Sequence, residues 1–217
     1  MKNKILLLSY PRSGNTFFGF FLKEITQSPN IHNCVIKAHH NVGKKITNIQ
    51  LNALIKNGYI FKEHHSDECK YVFNKKNDKL IFLIRNYKEC IIRNIGTKRD
   101  IKNACIKYCN NINFFDSYKG DKVFLYYEDF IFDFKTNFDK VLPIIDYDKN
   151  QYINVFNNFK KNKNLILKKY NNTHGSLTKG KKAIFHSLQL NKNKKLLFDN
   201  IIKSKVYNKK YINRYFE

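Results

Sequence analysis

The run Ile5-Leu6-Leu7-Leu8-Ser9, halted by Tyr10-Pro11, constrains the fold more than any other feature of this chain. A strand that is apolar at consecutive positions, without alternation, has to be covered on both faces, as strands inside parallel sheets are. Pro11 has no N–H with which to continue a ladder. Beyond it Phe17, Phe20, Phe21 and Ile25 recur near helical spacing, so the strand hands over to a helix across Thr16–Thr26. Further strands are expected at Tyr59–Lys62, Leu80–Ile84 and Lys122–Tyr126, the last two preceded by Asn77-Asp78 and Lys119-Gly120-Asp121. Helical patterns cover Asp100–Tyr118, Phe134–Ile144 and a Lys-rich Lys192–Ser204, and the polar Asn157–Asn172 stretch reads as loop. Strands alternating with helices predict an α/β domain with a mostly parallel central sheet. There is no internal repeat, and one domain over residues 1–217 is the economical organisation.

Charge narrows the possible partners. Lys and Arg number 41 against 17 Asp and Glu, a net +24, which calls for an anionic partner: a nucleotide, a nucleic acid, a sulfated glycan or a membrane surface. The abundance of Lys, Asn, Ile and Tyr also fits AT-rich coding, which would raise the charge without any partner. The five cysteines (Cys34, Cys69, Cys90, Cys105, Cys109) are odd in number and lack a disulfide-framework spacing, so reduced thiols are expected. Cys105 and Cys109 lie one helical turn apart, but no second ligand pair follows, and they read as buried helix residues with no metal expected. The apolar run at Ile5–Leu8 is too short for a signal-peptide core, and no stretch is long enough to cross a bilayer. An intracellular, cytoplasm-like soluble location is therefore expected.

Ser9-Tyr10-Pro11-Arg12-Ser13-Gly14-Asn15-Thr16-Phe17 occupies the turn between first strand and first helix. A helix N-terminus presents unpaired N–H groups and the positive end of the macrodipole to an anion. Gly14 permits close backbone approach, Arg12 adds a fixed cationic fork, and Ser13, Asn15 and Thr16 add side-chain donors. The segment is not a Walker A loop, since no Lys follows the Gly. It resembles the 5′-phosphosulfate loop of the PAPS-dependent sulfotransferases (PAPS, 3′-phosphoadenosine 5′-phosphosulfate), Tyr-Pro-(Lys/Arg)-Ser-Gly-(Thr/Asn)-Thr-(Trp/Phe), with Phe17 where most members carry Trp.

Three later segments extend the resemblance in family order. Leu80–Ile84 delivers Arg85-Asn86 at a strand end, where α/β ligands bind. With the helix after it, this segment is similar to the family's 3′-phosphate segment, Arg-Asn-Pro-(Lys/Arg)-Asp. Tyr87 replaces the Pro, and Arg93 stands where the family has a Ser ligand. Tyr126-Tyr127-Glu128-Asp129 resembles the strand end whose Tyr lies against adenine, which implies that role for Tyr127. Gly175–Lys181 loosely resembles the C-terminal loop over the 3′-phosphate, with Lys179 and Gly180 as its matching positions. The resemblance implies a three-layer α/β/α, P-loop NTPase-like fold that binds PAPS and its product PAP (3′,5′-diphosphoadenosine).

Sulfuryl transfer to a hydroxyl is an in-line displacement that needs a base on the acceptor and positive charge on the sulfuryl oxygens. The family's Lys-Thr-His signature has two candidates here, Lys37-Ala38-His39 and Lys62-Glu63-His64. The second follows an apolar run and places His64 twenty-one residues before Arg85, close to the family's spacing. His64 is thus the expected base and Lys62 its cationic neighbour, with His39 as the alternative. Extended alternation would put Lys62 and His64 on one side and Glu63 on the other. The expected partner is a small-molecule or glycan hydroxyl. Two readings compete: a basic nucleic-acid- or polyanion-binding protein without catalysis, and a P-loop kinase, which the missing Walker Lys and magnesium carboxylate disfavour.

Overall fold

A computed structural model describes residues 4–28, 30–32, 58–71, 78–95, 100–158, 161 and 190–216. Five strands, β1 (Lys4–Leu8), β2 (Asn30–His32), β3 (Tyr59–Glu63), β4 (Lys79–Ile84) and β5 (Lys122–Tyr126), form one sheet in the order β2-β3-β1-β4-β5. All four pairings are parallel. The first strand to be made is therefore the middle one, with Leu8 opposite both Glu63 of β3 and Phe82 of β4.

The unalternating run of β1 is explained by two cores. Leu6 and Leu8 enter one with Tyr87, Tyr108 and Phe198, whereas Ile5 and Leu7 enter the other with Phe18, Phe21, Phe130 and Phe138. Helices α1 (Asn15–Thr26), α4 (Tyr127–Phe132), α5 (Phe134–Asp139) and α6 (Lys149–Asn157) supply the second core; α2 (Tyr87–Ile95), α3 (Ile101–Ser117) and α7 (Lys192–Lys205) supply the first. The result is the expected three-layer α/β/α arrangement. Caps set the ends: Asp100 accepts from Asn103 N–H at the start of α3, and Asn191 accepts from Lys194 N–H at the start of α7.

Two sequence expectations change. Phe134–Ile144 is not one helix: α5 stops at Asp139, and a short 3-10 turn, Leu142–Ile144, follows. Pro143 is the cause, because its ring would collide with the carbonyl four residues back and it has no N–H to donate. The stretch assigned to loop from Asn157 begins on the last residue of a helix, α6, which Asp148 caps by accepting from Asn150 and Gln151 N–H. No described helix is long and apolar enough to cross a membrane.

Candidate nucleotide site

The carboxyl ends of β1, β3, β4 and β5 meet at one edge of the sheet, where open α/β sheets bind ligands. After β1 the chain turns through two left-handed residues, Arg12 at φ 69° and Gly14 at φ 82°. Gly14 then caps α1, its carbonyl accepting Phe18 N–H at 3.0 Å. For arginine that conformation costs about 1–2 kcal/mol. A strained residue in the loop that faces the sheet edge marks a site whose shape matters more than its stability. Gly14 is required twice over: by its φ, and because a Cβ there would stand 2.7 Å from ring carbons of Tyr127.

The loop side chains divide into those that face the edge and those that fasten the loop. Asn15 is buried, and its amide nitrogen donates to Leu7 O at 3.1 Å and Glu63 O at 3.3 Å, tying α1 to β1 and β3. Ser13 is fully buried. Phe17 packs edge-on against Phe21, Phe130 and Phe134. The sequence offers Ser13 and Asn15 as side-chain donors and Phe17 in the place of the family's Trp; the Asn15 and Phe17 side chains contact the protein, and Ser13 is buried. Arg12 is exposed, and Thr16 accepts a hydrogen bond from Lys62 Nζ at 2.9 Å, bringing the β3 ammonium to the first turn of α1.

Arg85 closes the loop from the β4 side. It is 8% exposed, donates to Arg12 O at 2.8 Å and lies over the Tyr127 ring at 4.4 Å from its centroid. Tyr108 holds its backbone by donating to Arg85 O at 2.8 Å. Arg93, half-buried on α2, is held below the ordinary arginine value, first by burial and then by repulsion from Arg85, with a smaller push from Arg12. Arg85 thus sits between the loop backbone and an aromatic face beside a helix N-terminus, with the charge of Arg93 near enough to repel it, an arrangement that an anion relieves.

His64 lies just beyond β3, so strand alternation ends one residue before it. Its position comes from hydrogen bonds instead. Nδ1 is 3.1 Å from Ser9 O. A carbonyl only accepts, which assigns the proton to Nδ1 and leaves Nε2 the basic nitrogen. The His64–Ser66 backbone is gripped by Asn111, whose Nδ2 donates to His64 O at 2.9 Å and whose Oδ1 accepts Ser66 N–H at 2.8 Å. Glu63, buried, accepts the N–H groups of His64 at 2.6 Å and His65 at 3.2 Å. Asn111 and Tyr108, on neighbouring turns of α3, went unnoticed in the sequence, where only their three-residue spacing on a helix hints at a shared face. His39, Lys179 and Gly180 lie outside the described residues. Among those described, no three His, Cys, Asp or Glu side chains cluster so as to hold a metal ion.

No family model matches the chain, and no curated protein matches it significantly in sequence. Among solved structures it is similar to mouse sulfotransferase SULT7A1 complexed with PAP, with TM-score 0.57 over 94% of this chain and 85% of that one. Only 14% of residues are identical, so the likeness is one of fold.

Proposed function

We propose that this chain is a PAPS-dependent sulfotransferase. The observation that carries the reading is Arg85 seated against the loop before α1, donating to Arg12 O and lying over the Tyr127 ring, with the charge of Arg93 near it. A nucleotide with phosphate at both its 5′ and 3′ positions suits that charge, and an aromatic face suits its base. The fold shared with a PAP-bound sulfotransferase supports the same assignment.

Bound PAPS would supply the sulfuryl group, which passes from a phosphate oxygen to the acceptor hydroxyl. Arg12, the N–H groups of the first turn of α1 and the Thr16 hydroxyl receive the 5′ end. Arg85 and Arg93 receive the 3′-phosphate, and Tyr127 lies against the adenine. Lys62, held at Thr16, offers positive charge to the sulfuryl oxygens as charge shifts towards the leaving phosphate. His64 Nε2 takes the acceptor proton as the new oxygen–sulfur bond forms. Nδ1–H stays on Ser9 O throughout and fixes the ring. Lys179 and Gly180 are assigned to the 3′-phosphate on the resemblance of their segment alone. The acceptor is a hydroxyl compound, and the protein acts as a soluble enzyme.

Thermal unfolding with PAP, ATP and a short oligonucleotide tests the reading. PAP is expected to raise the midpoint and ATP to do so far less, because a charge-assisted contact to the 3′-phosphate contributes about 1.5–3 kcal/mol, roughly ten- to a hundredfold in affinity. Equal shifts with PAP and ATP, or a shift with the oligonucleotide alone, would overturn it.

A further inference from the structure

The last described stretch of the chain, α7 and the short 3-10 turns Lys209–Tyr211 and Asn213–Tyr215, is wired to the turn that carries Arg85. Tyr215 Oη donates to Glu128 Oε2 at 2.7 Å, and the other oxygen of the same carboxylate accepts Asn86 N–H at 3.0 Å. Asn86 is the residue after Arg85 and opens α2: its carbonyl accepts from Glu89 and Cys90 N–H, and its side chain accepts from Lys88 N–H. A second strand of the network runs beside the first. Lys88, 2% exposed, pairs with Asp199 at 3.2 Å and donates to Tyr215 O at 3.4 Å, while the Tyr87 hydroxyl donates to Asp199.

These bonds grip the first turn of α2, which has Arg85 just before it and Arg93 in its last turn. Like charges brought together push their supports apart, and Glu89 on the same helix offsets part of that push on Arg93. A buried polar network, fully bonded, is stiff enough to oppose that push. We propose that the C-terminal segment, acting through Tyr215 and Asp199, is a positioning element of the anion site, clamping the start of α2 so that Arg85 keeps its place against Arg12 O and over the Tyr127 ring before the ligand arrives. Neither Tyr215 nor Asp199 touches the ligand. Their effect is preorganisation, which acts on affinity by removing the cost of assembling the site. The clamp bears on the 3′-phosphate end, and the inference rests on the nucleotide assignment proposed above.

Calorimetric titration of the full chain with PAP and with ADP, which lacks the 3′-phosphate, provides the test. Wild-type protein should prefer PAP. Tyr215→Phe, which removes one hydroxyl, should weaken PAP about three- to tenfold and leave ADP unchanged, and Tyr87→Phe should act in the same direction. Tyr211→Phe is the control: its hydroxyl bonds Asp116 at 3.0 Å in the same C-terminal region but off this route, so the ratio of PAP to ADP affinity should stay at the wild-type value whatever the change in melting temperature. A wild-type preference for PAP that survives both Tyr215→Phe and Tyr87→Phe overturns the clamp alone, as does a Tyr211→Phe that lowers the ratio equally. Wild-type protein that binds PAP and ADP alike overturns the nucleotide reading and the clamp with it.

Discussion

The Tyr127 ring occupies the space that a side chain on Gly14 would need, its Cδ2 and Cε2 lying 2.7 Å from an ideal Cβ built there. The residue proposed to meet the adenine and the residue that shapes the phosphate loop are therefore packed as one unit, with Arg85 over the same ring. Gly14→Ala should lower stability by about 2–4 kcal/mol, combining left-handed strain with displacement of Tyr127. PAP affinity should fall with it. Urea unfolding and PAP titration check the two losses; a variant with wild-type affinity would show that the loop tolerates a shifted Tyr127.

Arg12 and Arg85 are expected to fail differently. Arg12→Ala should abolish turnover of PAPS, because it is proposed to meet the end where negative charge develops. Arg85→Ala should chiefly weaken nucleotide binding, and Arg85→Lys should not rescue it, since an ammonium lacks the planar fork that spans Arg12 O and the Tyr127 face. Steady-state kinetics with PAPS as the varied substrate separate the two; the reverse pattern would mean that the phosphate subsites are exchanged.

His64→Ala should remove transfer, by about a hundredfold or more, with PAP affinity nearly intact. Asn111→Ala should lower turnover less, by freeing the His64–Ser66 backbone it grips. His39→Ala tests the alternative base in the Lys37-Ala38-His39 segment. Full activity after His64→Ala, with loss after His39→Ala, would move the base to that earlier segment.

Asp199→Ala should be among the most damaging substitutions for stability. It strands the Lys88 ammonium, 2% exposed, without its carboxylate, and breaking a buried pair from one side costs about 3–5 kcal/mol. Replacing both, as Lys88→Met with Asp199→Leu, should recover much of that loss in chemical denaturation. A single variant as stable as the double would show that solvent reaches Lys88.

Burial raises the Cys90 and Cys109 thiols from an ordinary 9.0 to about 12, and raises Cys105 as well. An acid weakened by folding favours the native state fully below its unfolded value. That contribution is lost as pH climbs from about 9 towards 12, since the unfolded chain sheds the proton first. Stability should therefore decline above about pH 9, and less steeply in Cys90→Ala. Iodoacetamide followed by peptide mass mapping should leave these three thiols unlabelled until the protein is unfolded.

Much of the fold was legible in the sequence because its signals are local. An apolar run without alternation implies a strand covered on two sides, and Ile5–Leu8 divides its side chains between two cores. The turn through Arg12 and Gly14 was legible for a similar reason, since a glycine between a buried strand and an apolar helix face has few other places to be. Pro143 was visible too, yet its power to end α5 was underrated against the apolar pattern around it.

Residue order alone sets which residue types arrive at the sheet edge: an arginine and a glycine after β1, a Lys-Glu-His across the end of β3, an Arg-Asn after β4, a tyrosine after β5. Which way each one turns is set by packing in three dimensions. Asn15, polar and in the loop, faces inward because the backbone carbonyls of Leu7 and Glu63 accept from its amide there. Tyr108, Asn111, Glu128 and Tyr215 gained their roles from contacts made across dozens of residues, through a carboxylate or an amide that can serve two backbones at once. Such pairings leave no period in the sequence, because a hydrogen bond is specified by distance in space and periodicity reports only direction along one element.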